Sequence, residues 1–261
     1  MKLSFCQLPD DLSTEHPAWS DLLLRLDKEE PDLAILNEMP FGTWVARKAV
    51  FDPELASASV QAHELALPAL QKMPTAVLSS RPVMGDQKLS NEAFLVADGI
   101  YRPVHHKHYF PQGPGFYEDS WFAPTRLGFD VIEYRGLRIG VLLCTELMFT
   151  EWARHYRRQG AHVIVTPRAS GTATMRYWDI AAAMAAVVSG CYVVSSNRVA
   201  AKNGTEPKFG GRGFAYSPTG ELLAETSPSM PIASVKIDLT RVAEAQKQYP
   251  CYVRELSNAK P

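Results

Sequence analysis

The sequence predicts an α/β fold, in which short buried strands alternate with amphipathic helices along the whole chain. Three observations lead to this prediction. Apolar runs of strand length recur between segments of helical periodicity, no linker or low-complexity stretch interrupts them, and the pairs Asp98-Gly99 and Arg135-Gly136 separate strand-like runs as hairpin turns do. We therefore interpret residues 1–261 as a single domain, with the tail from about residue 240 as an interface or wrapping segment.

The first half of the chain is predicted to contain two strand–helix units and a hairpin. Buried strands at residues 3–8 and 33–36 flank a helix with an apolar stripe. A second helix is predicted at residues 53–70, and Pro53 is compatible with it because proline is tolerated in a first helical turn. Residues 75–79 form a strand, and residues 94–97 pair with 101–107. The predicted stripe of the first helix consists of Trp19, Leu22, Leu23, Leu24 and Leu26.

The second half repeats the alternation. Strands at 131–134 and 137–143 form another hairpin, and Thr150 is predicted to cap a helix that runs to about Gln159. Three elements then follow one another, and a strand pair around residues 217–220 completes the pattern. The three elements are a strand at 162–166, a helix at 174–189 and a strand at 191–196.

The composition narrows the classes of partner. Hydrophobic residues make up 46% and charged residues 21%, as in ordinary globular proteins. Lys plus Arg total 27 against 28 for Asp plus Glu, so no overall field attracts nucleic acid or an anionic membrane. No apolar run approaches the roughly 18 residues of a membrane span, and the start MKLSFCQLPDD lacks the pattern of a secretory signal. We expect a cytoplasmic protein that binds a small molecule or a second copy of itself.

Three polar residues occupy the ends of predicted strands, where α/β proteins place their sites. Glu38 stands in LNEMPF, Lys107 in HHKHYFP and Cys144 in LLCTE. A carboxylate, an amine and a thiol together suit thiol acyl transfer, as base, oxyanion-stabilising cation and nucleophile. Each also has a plainer interpretation, since free cysteines are often buried in cores and a carboxylate after a strand is often a solvated loop residue.

Metal and disulfide chemistry are not expected. The four cysteines show no CxxC or Cys/His spacing, and Cys191 is interpreted as a core residue. Three histidines flank Lys107, but strand alternation sends His106 to the opposite face, and no carboxylate or cysteine has ligand spacing. The GGRGF segment lacks the preceding strand and following helix of a phosphate-binding loop, so a tight loop beside the pocket is predicted. We expect neither a metal nor another cofactor.

The order of these segments resembles the nitrilase, or carbon–nitrogen hydrolase, superfamily. The resemblance covers nearly the whole chain, through LNEMPF, HHKHYFP, LLCTE, GAHVIVTP, SSNRVA and GGRGFAYSPTGELLAE. It implies a four-layer α-β-β-α sandwich with two mixed β-sheets. It also implies subunits that pair through helices, as a homodimer or a higher homo-oligomer.

The resemblance implies a role for each catalytic candidate. Glu38 matches the general base, Lys107 the oxyanion-stabilising lysine and Cys144 the nucleophile. Glu118, in GFYEDSW, matches a second glutamate that positions substrate or relays a proton, and the backbone N–H of Thr145 joins Lys107 in the oxyanion hole. Glu146 is expected to form structural hydrogen bonds. A thiolate beside Lys107 would be favoured electrostatically, so Cys144 should alkylate fastest of the four thiols.

Departures from the family pattern bear on the substrate. Met148 stands where some carbamoylases carry an arginine that grips a carboxylate. Arg168 could replace that arginine, or it could form an ion pair at the surface or at a subunit interface. Thr145, Met148, Arg168 and Trp121 are the residues assigned to substrate binding. The absence of the Trp-Glu pair that follows the cysteine in many nitrilases favours amides or ureides over nitriles.

The sequence thus predicts a hydrolase that uses Cys144 to cleave a non-peptide C–N bond in a small amide or N-carbamoyl compound, with water as the second substrate. Three alternatives stay open: nitrile hydrolysis, an acyltransferase or amide synthase using the same thioester, and a catalytically silent binding or assembly module. The identity of the substrate is not encoded in any segment that we recognise.

Overall fold

The computed structural model describes residues 1–125, 128–200 and 207–254. The first half of the chain contains β1 (Lys2–Pro9), α1 (Pro17–Glu29), β2 (Leu33–Ile35), α2 (Pro53–Gln71), β3 (Ala76–Met84), β4 (Leu89–Ala97), β5 (Ile100–His106), β6 (Gln112–Gly113), β7 (Phe116–Tyr117) and α3 (Glu118–Trp121). The second half contains β8 (Ile132–Tyr134), β9 (Leu137–Val141), α4 (Thr150–Arg158), β10 (Val163–Thr166), α5 (Met175–Ser189), β11 (Tyr192–Ser195), β12 (Asn197–Val199), β13 (Phe214–Tyr216), β14 (Leu222–Glu225), β15 (Ile232–Lys236) and α6 (Leu239–Ala245). Single 3₁₀ turns occur at Val45–Arg47, Cys144–Met148 and Thr172–Thr174.

Two mixed sheets form the centre of the fold. In the larger sheet β1 lies parallel to β2, and β2 to β3, whereas β4 and β5 continue the sheet as antiparallel strands. β12 and β15 both pair with β1. The second sheet has the order β14-β13-β11-β10-β9-β8, with β9, β10 and β11 parallel. Both predicted hairpins are present, as β4 with β5 and β8 with β9.

Side-chain alternation along the strands builds the four layers. Val163 and Val165 of β10 belong to the core between the two sheets, together with Leu3 and Ile35 of the larger sheet. Ile164 points the other way, into the core that the second sheet forms with α4 and α5. α1 and α2 cover the outer face of the larger sheet. The α-β-β-α sandwich with two mixed sheets is thereby confirmed.

Two local predictions were wrong. In α1, Leu23 and Leu24 are 37% and 71% exposed, while Trp19, Leu22 and Leu26 are buried. The reason is geometric, because each residue turns the helix by about 100° and consecutive leucines cannot all face the sheet. Thr150 is the first residue of α4 rather than its cap. Phe149 occupies the cap position, because the 3₁₀ turn that begins at Cys144 runs directly into the helix.

The C-terminal segment lies against the chain's own helical layer. The side-chain amide of Gln246 donates to the carbonyl of Ala161, and the Cys251 thiol donates to the carbonyl of Val187 in α5. The role of the tail as an interface or wrapping segment stays a prediction, and its last residues, 255–261, lie outside the described part. In the described residues no helix is both long and apolar enough to cross a bilayer.

The carboxyl ends of several strands carry the candidate residues. Glu38 follows β2, Lys107 directly follows β5, Cys144 follows β9 and Arg168 follows β10. The backbone beyond β10 connects the two sheets, because the carbonyl of Arg168 accepts from Glu38 N at 3.3 Å and the carbonyl of Pro167 accepts from Cys144 N at 3.0 Å. The fold therefore holds these strand ends in fixed relation to one another.

Candidate active site

Lys107 lies between two carboxyl groups. Its Nζ is 2.7 Å from Glu38 Oε1 and 2.5 Å from Glu118 Oε2, and all three side chains are fully buried. Burial acts to lower the pKa of Lys107, but the charges of Glu118 and Glu38 outweigh burial and raise it. Lys107 is therefore an ammonium ion over the whole physiological pH range.

Asn91 on β4 supports this cluster and was not singled out by sequence reasoning. Its side-chain amide donates to Glu38 Oε1 at 2.8 Å, and its carbonyl accepts from Lys107 N at 2.9 Å. One residue thus orients both the carboxylate and the backbone of the lysine. A polar amide inside a buried strand could have drawn attention to Asn91. The strand predicted from the sequence began only at residue 94, however, so Asn91 was left outside it.

The second oxygen of each carboxyl group remains open. Within the described part of the chain, Glu38 Oε2 and Glu118 Oε1 are buried and lack a hydrogen-bond partner. Buried polar atoms are almost always hydrogen-bonded in folded proteins, so an exception needs an explanation. Substrate or water bound beside them would provide the missing partners.

Cys144 begins the 3₁₀ turn after β9 with a backbone φ of +48°, a conformation that costs energy for a residue with a side chain. Its Sγ faces the carbonyl of Ala169 at 3.9 Å. Burial raises the pKa of the Cys144 thiol, Glu38 raises it further, and the opposing effect of Lys107 is smaller. Lys107 favours the thiolate, as expected from the sequence, but burial outweighs the attraction of the ammonium and keeps the resting thiol neutral.

Glu118, the first residue of α3, has a pKa that is raised into the range just above neutral pH. Burial raises its pKa to about 8, against the lowering effect of Lys107 and with a further contribution from Glu38. Below pH 8 the buried carboxyl group carries a proton that it can donate or share. Above pH 8 it becomes a second carboxylate beside Lys107.

We expect amide turnover to decline as pH rises through about 8, because Glu118 then loses its proton. Glu118→Gln should lower kcat/KM by on the order of 10²-fold and abolish the decline, since a glutamine does not titrate. The measurement is kcat/KM from pH 6 to 10. Glu54→Gln, an exposed change on α2, is the control. If turnover of Glu118→Gln still declines at alkaline pH, the decline is caused by the titration of another group.

The protonation of Glu118 should also make the stability of the folded protein depend on pH. A group whose pKa is raised by folding binds more protons in the folded state than in the unfolded state. The free energy of unfolding should therefore fall as pH rises from the ordinary value of 4.5 towards 8, in the part contributed by Glu118. Urea unfolding of Glu118→Gln should show a weaker dependence over this interval.

A cavity of about 500 Å³ opens beside the thiol. Four of the residues predicted from the sequence line it: Glu118, Cys144, Thr145 and Met148. Glu38 and Lys107 are fully buried and do not line the cavity themselves. Sequence reasoning missed the aromatic wall formed by Phe116, Tyr177 and Trp178. The two α5 residues follow a helical periodicity that equally indicates an ordinary core helix.

Trp121 does not reach the cavity to which it was assigned. Its side chain is fully buried, its Nε1 donates to the carbonyl of Lys48 at 2.7 Å, and its ring packs on Phe51 with centroids 5.2 Å apart. Trp121 is therefore a core residue that packs behind the short helix α3 and does not contact the cavity.

Arg168 lies neither on the cavity rim nor on the surface. Its guanidinium is fully buried and donates to Ser195 Oγ, Ser170 Oγ and the carbonyl of Arg212 at 2.7, 3.1 and 2.8 Å. The rings of Trp178 and Phe214 pack against it at 4.9 and 4.4 Å. Neither interpretation made from the sequence fits this position, because the side chain turns into the protein after β10.

Arg168→Ala is expected to lower the free energy of unfolding by about 3 kcal/mol, because a large buried side chain and three hydrogen bonds are lost. It should lower turnover of charged and neutral substrates alike. Urea unfolding and kcat/KM for both substrate types are the measurements, with Arg25→Ala at the exposed Arg25–Asp21 pair as control. An increase in KM confined to carboxylate substrates, with stability unchanged, would restore the anion-binding role.

Glu146 lies against two of the three histidines that flank Lys107 in the sequence. His105, His108 and Glu146 place their ligand atoms within 4.8 Å of one another. Glu146 Oε2 lies 2.7 Å from His105 Nε2 and accepts from Leu143 N at 2.8 Å, and Oε1 accepts from His108 N at 2.7 Å. Both oxygens are thus used in hydrogen bonds. Glu146 joins the strand end before Cys144 to the strand end that carries Lys107.

The fold and this arrangement define a class of protein. A family model described as carbon-nitrogen hydrolase matches residues 3–247, and the chain belongs to that family.

Individual relatives match only part of the chain, at low sequence identity. The chain is 28% identical over 165 residues to the N-carbamoylputrescine amidase of Arabidopsis thaliana, an alignment that covers 57% of this chain and 55% of the relative. It is 28% identical over 154 residues to the citrullinase of Francisella tularensis, covering 56% and 54%. The chain thus spans about half the length of these curated relatives.

A solved structure extends the likeness in fold to almost the entire chain. The crystal structure of a carbon-nitrogen hydrolase from Helicobacter pylori G27 superposes with a TM-score of 0.83 at 23% identity, covering 96% of this chain and 94% of that one. At this identity the superposition establishes the shared fold.

Proposed function

We propose that the protein is an amidase that cleaves a small amide or N-carbamoyl compound through a thioester on Cys144. The observation that carries this proposal is the Lys107 ammonium held between Glu38 and Glu118 beside a thiol that opens on a cavity. Amide hydrolysis needs a nucleophile, a base and a cation near the developing oxyanion, and this cluster supplies all three. Family membership and the relatives named as amidases support the same reaction.

In the first half of the proposed reaction, Glu38 takes the proton of Cys144 as the sulfur attacks the carbonyl carbon. Because burial keeps the resting thiol neutral, proton transfer accompanies the attack rather than precedes it. The Lys107 ammonium and the Thr145 backbone N–H stabilise the oxyanion. The C–N bond then breaks, the nitrogen leaves as ammonia or amine with the proton taken from sulfur, and the acyl group stays on Cys144 as a thioester.

In the second half, water attacks the thioester. Glu38 accepts one proton from this water through its open Oε2, and the carbon–sulfur bond breaks. The thiol regains a proton and the carboxylic acid leaves. Protonated Glu118, whose open Oε1 also lies in this cluster, is suited to donate a hydrogen bond to the substrate nitrogen or to the water.

Trapping of the acyl group tests this proposal. Small amides, carbamoyl compounds and nitriles are screened by ammonia release, and hydroxylamine is then added to the reaction. A thioester should divert to a hydroxamate while ammonia release continues. Hydroxamate formed without any acid in plain water would instead indicate an acyltransferase. A failure of every compound to release ammonia would favour a binding or assembly module.

We further propose that the chain pairs with a second copy of itself through α5, in a compartment that keeps its thiols reduced, as the cytoplasm does. Tyr177, Ile180 and Met184 are exposed and share one face of this helix, at spacings of three and four residues. Light scattering of Ile180→Glu against the unaltered protein tests the pairing, because a charge in an apolar interface should produce monomers.

The proposed compartment rests on a different observation. All four cysteines are free, which fits a reducing compartment.

A further inference from the structure

The cavity lining points to a substrate class. Resting on the proposed amidase function, we infer that the preferred substrate has an uncharged, largely apolar acyl group, and that substrates carrying a carboxylate or an amine on that group are turned over poorly. The inference follows from which groups line the cavity and from what already binds them.

Charge is nearly absent from the wall. Among the described residues that line the cavity, Glu118 has the one carboxyl group, and no Lys, Arg or His side chain is present. Glu118 is itself engaged by Lys107 at 2.5 Å. A substrate carboxylate would therefore meet a carboxyl group and no cation, and a substrate ammonium would meet a group already paired with a lysine.

Three polar side chains of the wall, those of Gln112, Ser170 and Thr174, form hydrogen bonds within the protein. Gln112 donates to Ser120 Oγ at 2.8 Å and accepts from Ser120 N at 3.3 Å. Thr174 Oγ1 donates to the carbonyl of Gly171 at 3.2 Å and accepts from Trp178 Nε1 at 3.1 Å. These bonds use part of the hydrogen-bonding capacity of both side chains, which reduces what they offer a polar substrate group.

Ser170 shows the same pattern and also separates the cavity from a buried charge. Its Oγ accepts from Arg168 at 3.1 Å and donates to Asn197 Oδ1 at 3.3 Å. Arg168 donates to hydroxyl and carbonyl oxygens, and it lies behind this wall with Trp178 packed against it. Its donors are used within the protein, so it offers a substrate anion no hydrogen bond, and its field acts on a substrate charge only at longer range, against a cation and in favour of an anion.

Apart from the hydroxyl groups of Thr145 and Tyr177, what remains exposed to the substrate is apolar. Phe116, Met148 and Trp178 contribute the large side chains of the lining, and Pro111 and Pro114 extend it. An aliphatic or aromatic acyl group gains contact with these side chains. A charged group would lose its hydration without a replacement, which we expect to lower kcat/KM by on the order of 10²-fold.

Four amides with a five-carbon acyl chain test this inference directly: pentanamide, the monoamide of glutaric acid, the methyl ester of that monoamide, and 5-aminopentanamide. We expect kcat/KM for pentanamide and the ester to exceed those for the two charged amides by about 10²-fold. The ester controls for the added length. Equal or better turnover of either charged amide would overturn the inference and leave the amidase proposal intact.

A second readout does not require turnover. Iodoacetamide and iodoacetate have nearly the same size and differ in charge, and both alkylate thiols. The ratio of their rates at Cys144 should exceed the ratio measured with free cysteine by about tenfold or more, with Cys144→Ala giving the background. If this excess is found although no amide is hydrolysed, the amidase proposal fails and the selectivity stands. A ratio equal to that of free cysteine would contradict the selectivity.

A placed cation should weaken the preference for the uncharged amide. Met148 lines the cavity and is 37% exposed, so a longer side chain can extend from it without entering the core. Relative to Met148→Gln, Met148→Arg should shift the ratio of kcat/KM towards the glutaric monoamide over pentanamide by about tenfold or more. An identical ratio in the two variants would show that charge at this wall does not determine selectivity.

Discussion

Cys144→Ala is expected to lower amide turnover by on the order of 10⁴-fold or more, because the thioester cannot form without the Cys144 sulfur. The fold should persist. The substitution removes one atom beside an existing cavity, so it should lower the free energy of unfolding by only about 1 kcal/mol. Ammonia release and thermal unfolding are measured on the same preparation.

Cys251→Ala provides the matched control for this experiment. It removes another buried thiol, one that contacts the carbonyl of Val187 and lies outside the site. Turnover in this variant should stay close to that of the unaltered protein. A well-folded Cys144→Ala protein with substantial hydrolysis would contradict the nucleophile assignment.

The relative reactivity of the thiols gives an independent check. Cys144 should alkylate first, because it lines a cavity that a reagent can enter, and Glu38 and Lys107 lie close enough to act on its charge. Cys6 and Cys191 are buried in strand regions and donate to the carbonyls of Ile35 and Ala161. Peptide mapping after brief treatment with iodoacetamide should find Cys144 modified before either of them.

Lys107→Met should reduce turnover by at least about 10²-fold, because the cation at the oxyanion position is lost. It should also lower the free energy of unfolding by about 3–5 kcal/mol, because the Glu38 carboxylate would remain buried without its counter-ion and Glu118 would lose its hydrogen-bond donor. Lys72→Met, the same change at an exposed position after α2, controls for loss of a lysine alone.

Lys107→Arg distinguishes position from charge. A planar guanidinium is larger than an ammonium and cannot place a compact charge between two carboxyl groups that are each within 2.7 Å of Nζ. Turnover should therefore fall by at least about 10²-fold here as well. Near-normal turnover in Lys107→Arg would mean that the lysine contributes only a general positive potential.

Local patterns in the sequence were sufficient to predict the fold class and most elements. Strand alternation and the turns at Asp98-Gly99 and Arg135-Gly136 predicted two hairpins that the structure contains. The prediction was less complete at β3 and β4, which extend further than expected and meet near Gly85. Asn91 lies in the missed part of β4, so its contacts with Glu38 and Lys107 were missed with it.

The placement of Glu38, Lys107 and Cys144 at strand ends was encoded locally, because each polar residue follows an apolar run in its own segment. Their distances from one another were not, since Glu38 and Lys107 are 69 residues apart in the chain and meet only when β2 and β5 join one sheet. The role of each residue in catalysis remains a prediction that the experiments above test.

Arg168 shows most clearly what only the tertiary structure decided. From the sequence it was a cation just past a strand, with a pocket rim or an interface as the alternatives. The direction of its side chain depends on Ser195, Phe214 and Trp178, which other strands and α5 bring to it. Sequence alone thus determined the family, the layered fold and the candidate chemistry, because these depend on short-range patterns. The charge of the cavity wall required the packed structure, because each side chain there is oriented by partners distant in sequence.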